Sequence, residues 1–191
     1  APDVPASLAF YESLGFVQAV VGDTWSHAYA VVTDGRLFLG LHDHEFAAPA
    51  LTWVQPGLAA HAPRLEALGI EFAVASLGDD ALHEIAFADP AGQMIKLVEA
   101  RTFSPPALRP NHASRLGYFE EFGIPTTDLA RSTAFWDALG LVAFDPVRAP
   151  FAKVVAASRD LNVGLYDVDL RAPVLAFSDP AMPEHIADLR D

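Results

Sequence analysis

The segment His42-Asp43-His44-Glu45 contains the residue types that bind divalent transition metals. It begins at the end of a predicted strand over residues 37–42. Because side chains alternate along a strand, His42 and His44 are expected on the same face. The segment also lies where that strand passes into a polar loop, and a solvated strand end is therefore the favoured interpretation, with a metal site as the alternative.

The composition and the absence of known motifs exclude several classes of function. The chain has no Cys, which excludes disulfides and thiolate chemistry, and it shows no nucleophile motif, phosphate-binding glycine loop or dinucleotide fingerprint. Its 25 acidic and 12 basic residues are dispersed, and a nucleic-acid partner is disfavoured because no Lys/Arg cluster is present. No apolar run is long enough for a membrane span, and the first residues do not resemble a signal peptide, so we expect a cytoplasmic protein. His83 and His112 are isolated in sequence and are interpreted as surface or linker histidines.

These residues are positioned by a duplicated chain. The stretch that begins at Phe10 is repeated from Phe135, with an offset of 125 residues. Leu39-Gly40-Leu41-His42-Asp43 and Val163-Gly164-Leu165-Tyr166-Asp167 correspond at an offset of 124, and the segments around Leu51 and Val174 at 123. The small drift indicates an internal duplication, so each candidate site can be examined twice.

Each repeat is predicted to contain β-α-β-β-β units. Asp3 or Ser7 can cap a first helix that ends at Gly15, and Asp34-Gly35 predicts a tight hairpin turn. The remaining elements follow from periodicity and turn residues. Helices are predicted over 58–68, 129–139 and 182–189, and strands over 16–21, 27–33, 37–42, 51–54, 71–75, 82–88, 93–99, 117–124, 142–147, 152–157, 161–166 and 174–177.

The domain prediction follows the duplication. Residues 1–101 form the first repeat without its opening strand, the Pro-containing segment 102–114 is a linker, and residues 115–191 form a second repeat without its last strands. We therefore expect the chain to be trimmed at both ends, or to lack disordered termini.

Three segments carry a resemblance to a known family: the pattern Asp128-Leu129-x-x-Ser132-x-x-Phe135-Trp136-x-x-Leu139-Gly140, its counterpart from Asp3 to Gly15, and the turn and strand from Asp89 to Glu99. They resemble modules of the vicinal oxygen chelate superfamily. That superfamily includes glyoxalase I, bleomycin-resistance proteins and extradiol dioxygenases. The resemblance covers nearly the whole chain. It implies an α+β fold of tandem βαβββ modules, with curled mixed sheets around open cavities and helices outside.

The resemblance also implies where a divalent metal would be bound by His and Glu. In this sequence those positions hold Gly40, Ala50 and Lys96 in the first repeat, and Glu121, Gly164 and Pro173 in the second. The two remaining positions fall before Ala1 and after Asp191. Only Glu121 is a ligand type, and no pairing of modules gives more than two family ligands. No cofactor is therefore expected; if a divalent metal is bound, Glu121, His42 and His44 are the candidates.

Alternation within the modules predicts a mostly apolar cavity with few polar groups, which suits a small organic molecule. Its candidate binding residues are Thr52, Met94, Lys96, Phe119, Asn162, Tyr166 and Phe177, with Leu175 beside them. The alternative is that these side chains fill the space between sheets as core residues. Glu121, the candidate catalytic residue, could instead form an ion pair with Lys96 if the second and third modules share a cavity.

Three functions stay open. The first is metal-independent binding of a small, mostly apolar, aromatic or cationic molecule, as in bleomycin-resistance proteins; the net charge of −13 favours a cation weakly. The second is a glyoxalase-type lyase or isomerase, or a dioxygenase, with unusual metal ligands. The third is an assembly domain without a ligand. The expected partner is a small molecule, with no nucleic acid or membrane; a homodimer is an open alternative.

Overall fold

The computed structural model describes residues 3–21, 25–44, 49–79, 82–99 and 114–190. In chain order these form α1 (Val4–Ser13), β1 (Val17–Gln18), β2 (Tyr29–Thr33), β3 (Phe38–His42), β4 (Ala50–Val54), α2 (Leu58–Ala67), β5 (Val74–Ser76), β6 (Glu84–Ala88), β7 (Met94–Val98), β8 (Tyr118–Pro125), α3 (Leu129–Ala138), β9 (Val142–Ala143), β10 (Ala152–Ala157), β11 (Asn162–Asp167), β12 (Val174–Ser178) and α4 (Met182–Asp188). No helix among them is long and apolar enough to cross a membrane.

Local signals begin and end the helices as predicted. The side chain of Asp3 accepts a hydrogen bond from the Ala6 amide at 2.8 Å and caps α1. Asp128 caps α3 in the same way, through the Arg131 amide at 2.9 Å. Gly15 follows α1 with a φ of +88°, which L side chains rarely adopt.

The βαβββ module appears twice with the same sheet order. Strands β4 to β7 form a sheet in the order β4-β7-β6-β5, and β8 to β11 repeat it as β8-β11-β10-β9, with β12 on the outer side of β8. In both modules the first strand runs parallel to the last. A third, antiparallel sheet has the order β1-β2-β3. The predicted α+β architecture of tandem modules is therefore confirmed.

The chain forms two compact units. Unit 1 consists of Ala1–Phe46, Pro105–Glu120 and Leu175–Asp191, and unit 2 of Ala47–Ser104 and Glu121–Val174. Each sequence repeat contributes residues to both units. The repeat boundaries at 101 and 115 describe the duplication in the sequence and stay a prediction. The linker predicted over 102–114 lies outside the described residues except for Ser114.

In unit 1, α1 packs on the β1-β2-β3 sheet. The hairpin turn predicted at Asp34-Gly35 is present: Asp34 is 1% exposed and its Oδ1 accepts from the amides of Arg36 and Leu37. The buried hydrophobic core consists of Val4, Phe16, Ala30, Val32 and Leu41.

In unit 2, α3 connects the two modules. Trp136 of α3 is fully buried; its ring centroid is 6.2 Å from that of Trp53, and its Nε1 donates to Asp89 at 3.2 Å. Asp89 also closes the β6–β7 turn by accepting from the Ala91 and Gln93 amides, both at 2.8 Å. Burial raises the pKa of the Asp89 carboxyl, against the opposing effect of these hydrogen bonds.

Candidate functional site

One face of the β8-β11-β10 sheet is polar, although its other face is core. Phe122, Val163 and Val154 point to the side of α3 and are buried. The register pairs Gly164 with Gly123 and Lys153 with Tyr166. Because side chains alternate, this register places three functional groups on the face away from α3. These are Glu121, Tyr166 and Lys153; we call it the Glu121 face.

The carboxylate of Glu121 is held by two donors. The Tyr166 hydroxyl and the Lys153 ammonium both donate to Oε1, the latter at 2.9 Å. The Glu121 side chain is only 6% exposed, whereas that of Lys153 is 28% exposed. The Lys153 Nζ also lies 5.5 Å from the centroid of the Tyr166 ring, within the range of a cation–π interaction. The charge of this buried carboxylate is therefore compensated within its own module.

Two glycines make room for this network. A Cβ at Gly164 would lie 2.7 Å from Tyr166 Cε2 and 2.8 Å from Glu121 Cδ. A Cβ at Gly123 would lie 2.6 Å from the same ring atom. Real Cβ atoms do not approach this closely, so the aromatic ring can lie over the sheet only because both positions lack a side chain.

The environment of Tyr166 disfavours its ionised form. Burial is the largest cause, followed by the hydrogen bond to Glu121 and the negative charge of that carboxylate, and together they raise the pKa of the Tyr166 hydroxyl above its usual value of 10. Tyr166 is therefore a hydrogen-bond donor at neutral pH. The Phe151 ring extends this face, with its centroid 5.4 Å from that of Tyr166.

The positions at which the resemblance implies a metal do not fit one. Gly164 and Pro173 offer no ligand side chain, and the Glu121 carboxylate is already paired with the Lys153 ammonium. Lys96 pairs with Glu84 at 2.9 Å, so the predicted Lys96–Glu121 ion pair is wrong. Each charge instead has a partner on an adjacent or nearby strand of its own sheet. Among the described residues, no group of three His, Asp or Glu side chains is arranged to hold a metal ion.

The predicted binding residues of unit 2 lie on two different faces. Register places Thr52, Met94 and Lys96 together on the β4-β7-β6 sheet, on the face opposite Trp53 and its contact with α3. Tyr166 and Glu121 lie on the face of the other sheet that also points away from α3, and Asn162 shares that face by alternation. The two sets therefore belong to two different sheets, and a common binding cavity stays a prediction.

The remaining predicted residues lie in unit 1. Phe119 and Phe177 contact each other edge to face, with ring centroids 5.7 Å apart. Phe177 also packs against the core of that unit, as the core interpretation expected. His42 and His44 lie in unit 1 as well, where both contact His27, a residue that the sequence analysis did not select.

A cavity of about 280 Å³ lies in unit 2 on the side of α3. Its walls include the apolar side chains of Trp53, Leu65, Leu97, Trp136 and Leu139, with His61 and Arg64 among the polar groups. None of the predicted binding residues lines it. Periodicity could not reveal this cavity, because it is formed between helices that are distant in sequence.

His83 is not an isolated surface histidine. Its Nδ1 lies 2.6 Å from Glu99 Oε2, and its side chain is 21% exposed. The same oxygen accepts from the Leu58 amide at 3.0 Å, at the first residue of α2. The hydrogen bond with His83 is the largest of the effects that lower the pKa of Glu99. The pair thus has a structural role. His112 lies outside the described residues.

No protein-family model matches the sequence, and no curated protein is similar to it by sequence. Solved structures are similar in fold. A catechol 2,3-dioxygenase is 17% identical with a TM-score of 0.62, covering 99% of this chain and 72% of that one. The 2,2',3-trihydroxybiphenyl 1,2-dioxygenase of Sphingomonas wittichii strain RW1 is 18% identical, with a TM-score of 0.58 and coverages of 98% and 73%.

A third similar structure is the E323L mutant of homoprotocatechuate 2,3-dioxygenase from Brevibacterium fuscum, at 16% identity and a TM-score of 0.64. The match covers 98% of this chain and 58% of that one. At these identities the similarity establishes the fold and not the reaction. The repeated sheet order and these structures agree with the resemblance found in the sequence: the chain has the fold of the vicinal oxygen chelate superfamily.

Proposed function

We propose that this chain binds a small, mostly apolar or aromatic molecule on the Glu121 face, without a metal ion. The observation that carries the proposal is the Lys153 ammonium, 2.9 Å from Glu121 Oε1. This ammonium supplies the positive charge that a metal would supply to the one family ligand position still occupied by a carboxylate. Lys153 would repel a divalent metal ion bound there about twice as strongly as a singly charged ligand at the same distance.

The groups on this face suit an aromatic ligand with a hydrogen-bond donor. Phe151 and Tyr166 offer ring surface, and Phe151 is 38% exposed. Among the described residues, both hydrogen bonds to the Glu121 carboxylate use Oε1, which leaves Oε2 to accept from an ammonium or hydroxyl group. The acidic chain, with a net charge of −13, favours approach of a cation.

Benzylamine, an aromatic ring with an ammonium donor, tests the proposal by isothermal titration calorimetry. We expect saturable binding to the wild type and a loss of about tenfold in affinity in Glu121→Gln, the size expected when one charge-assisted hydrogen bond is lost. Glu71→Gln, an exposed residue of the same unit, is the matched control and should bind as the wild type does. Equal affinity of Glu121→Gln and wild type would contradict the proposal; a loss in His61→Ala instead would place the ligand in the α3-side cavity.

A metal-dependent dioxygenase, or a lyase or isomerase of the same superfamily, is the second candidate, and the fold similarity to three dioxygenases favours the former. Elemental analysis of the purified protein separates it from the first. Stoichiometric Fe, Mn, Ni or Zn that disappears in Glu121→Ala would replace the metal-independent proposal. An assembly role without a ligand would be favoured if neither benzylamine nor a metal bound.

A further inference from the structure

Three histidines meet at one end of the β2–β3 hairpin in unit 1. The register pairs Tyr29 with His42, so His27 lies opposite His44 when the pairing is continued by two residues. All three imidazoles therefore belong to the same face of the hairpin. His27 and His42 are half-buried and His44 is exposed, which makes this end of the hairpin accessible from solvent.

The ring nitrogens already converge. His27 Nε2 lies 2.9 Å from His42 Nδ1, with ring centroids 5.2 Å apart. The ring of His44 is stacked on that of His27 at 4.8 Å, with 11° between their planes. The His27 ring is thus in contact with the imidazoles of both His42 and His44.

Neighbouring aromatic side chains fix the two half-buried rings. Tyr29 is stacked on His42 with centroids 5.7 Å apart, and Trp25 is stacked on His27 at 5.8 Å. The His42 ring can occupy this position only because residue 40 is a glycine: a Cβ there would lie 2.7 Å from His42 Nε2. These contacts orient the two imidazole rings before any ion binds.

His42 at the end of β3, His44 two residues beyond it and His27 two residues before β2 can supply three ligands to one ion. Neutral imidazoles suit Zn²⁺, Cu²⁺ and Ni²⁺. With Zn–N bonds of about 2.0–2.1 Å, two ligands of a tetrahedral ion are roughly 3.3 Å apart. The nitrogens of His27 and His42 need to separate by only about 0.4 Å from their hydrogen-bonded distance of 2.9 Å. His44, now stacked, would turn its ring toward them.

As the three side chains stand, with His44 stacked on His27, they do not form the arrangement of a metal site. We propose that, once the His44 ring turns, His27, His42 and His44 bind one divalent transition-metal ion, represented by Zn²⁺, through three imidazole nitrogens. This site differs from the family positions: it uses none of Gly40, Glu121 and Gly164, and it lies within unit 1. It shares no residue with the proposed ligand site of unit 2. Three protein ligands leave a fourth position for water or an added molecule.

Calorimetric titration of the metal-free protein with ZnCl₂ tests this site. We expect one Zn²⁺ per chain, and an affinity at least tenfold lower in His27→Ala and in His42→Ala. His61→Ala, which removes a histidine of unit 2, is the matched control and should bind Zn²⁺ as the wild type does. Co²⁺ in place of Zn²⁺ should give the visible absorption of a tetrahedral site, lost in the same two variants.

His27→Phe separates metal binding from folding, because it keeps an aromatic ring against Trp25 but removes both nitrogens. We expect a folded protein by circular dichroism with the same loss of Zn²⁺ affinity. Unchanged Zn²⁺ binding in His27→Phe and His42→Ala would overturn the proposal. Zn²⁺ binding that is lost in Glu121→Gln and retained in both His variants would overturn it too, and would also refute the metal-independent function proposed for unit 2.

Discussion

Removing either member of the Glu121–Lys153 pair should reduce stability by unequal amounts, and the inequality follows from their exposure. In Lys153→Met the Glu121 carboxylate, 6% exposed, stays buried with only the Tyr166 hydroxyl as a partner. In Glu121→Gln the Lys153 ammonium stays, but at 28% exposure it can turn toward water. Lys153→Met should therefore be the more destabilising change.

The magnitude lies between two limits. Breaking a fully buried pair costs about 3–5 kcal/mol, and an exposed pair contributes about 0.2–1 kcal/mol. We expect about 2–3 kcal/mol for Lys153→Met and about 1 kcal/mol for Glu121→Gln, with a coupling of about 1–2 kcal/mol in the double variant. For a chain of 191 residues, each kcal/mol lowers the Tm by about 2–4 °C.

Urea unfolding of the wild type, the two single variants and the double variant measures this cycle. The Glu84–Lys96 pair is the matched control, because its atoms are also 2.9 Å apart but its side chains are 19% and 17% exposed. There Glu84→Gln and Lys96→Met should cost similar amounts. A Glu121→Gln variant less stable than Lys153→Met, or a coupling below about 0.5 kcal/mol, would refute the argument from burial.

Three further predictions concern single residues. The difference between wild-type and Tyr166→Phe titrations, followed by tyrosinate absorbance at 295 nm, should have its midpoint above pH 10, because burial and the adjacent carboxylate raise the pKa of Tyr166; a midpoint at or below 10 would contradict this. Gly164→Ala should destabilise by about 1–3 kcal/mol in urea unfolding, since its Cβ would meet Tyr166 at 2.7 Å. Gly78→Ala, with nothing within 4 Å of its Cβ, should be neutral or more stable, and equal effects at the two glycines would exclude the steric explanation. Finally, the hydrogen bond with His83 lowers the pKa of Glu99 below 4.5, so its stabilisation is present above pH 4.5 and lost as the pH falls through the folded-state pKa; Glu99→Gln should show a weaker loss of stability over that acid range, and an unchanged pH profile would contradict the assignment.

Much of the fold could be predicted because its signals are local. Capping by Asp3 and the Asp34-Gly35 turn act over a few residues, and the structure confirms both. Two predicted strands were too long: 16–21 contains only Val17–Gln18, and 142–147 contains only Val142–Ala143. An apolar alternation does not tell where the partner strand ends, and β10 pairs with β9 at only two residues.

The candidate site was less predictable because its contacts are not local. Glu121 was selected as the candidate catalytic residue, with an ion pair to Lys96 as an alternative; the structure shows it buried and paired with Lys153. His27 was overlooked. A two-residue turn at Asp34-Gly35 would pair it with His42, and only the observed register, with Thr33 opposite Phe38, places it opposite His44. Choosing among several lysines or histidines requires the strand register, which periodicity alone does not give.

The sequence by itself determined the module, that is, the duplication and the order of elements; the Gly, Ala, Lys and Pro at the metal-ligand positions are known only through the resemblance. These are properties of residue type and spacing. Tertiary structure decided which charges meet. The sheet order places β8 and β10 on either side of β11, and so brings the Lys153 ammonium to the Glu121 carboxylate, 32 residues away in sequence. A buried charge must be compensated wherever the fold puts it, and only the folded sheet determines which side chain is near enough to do so.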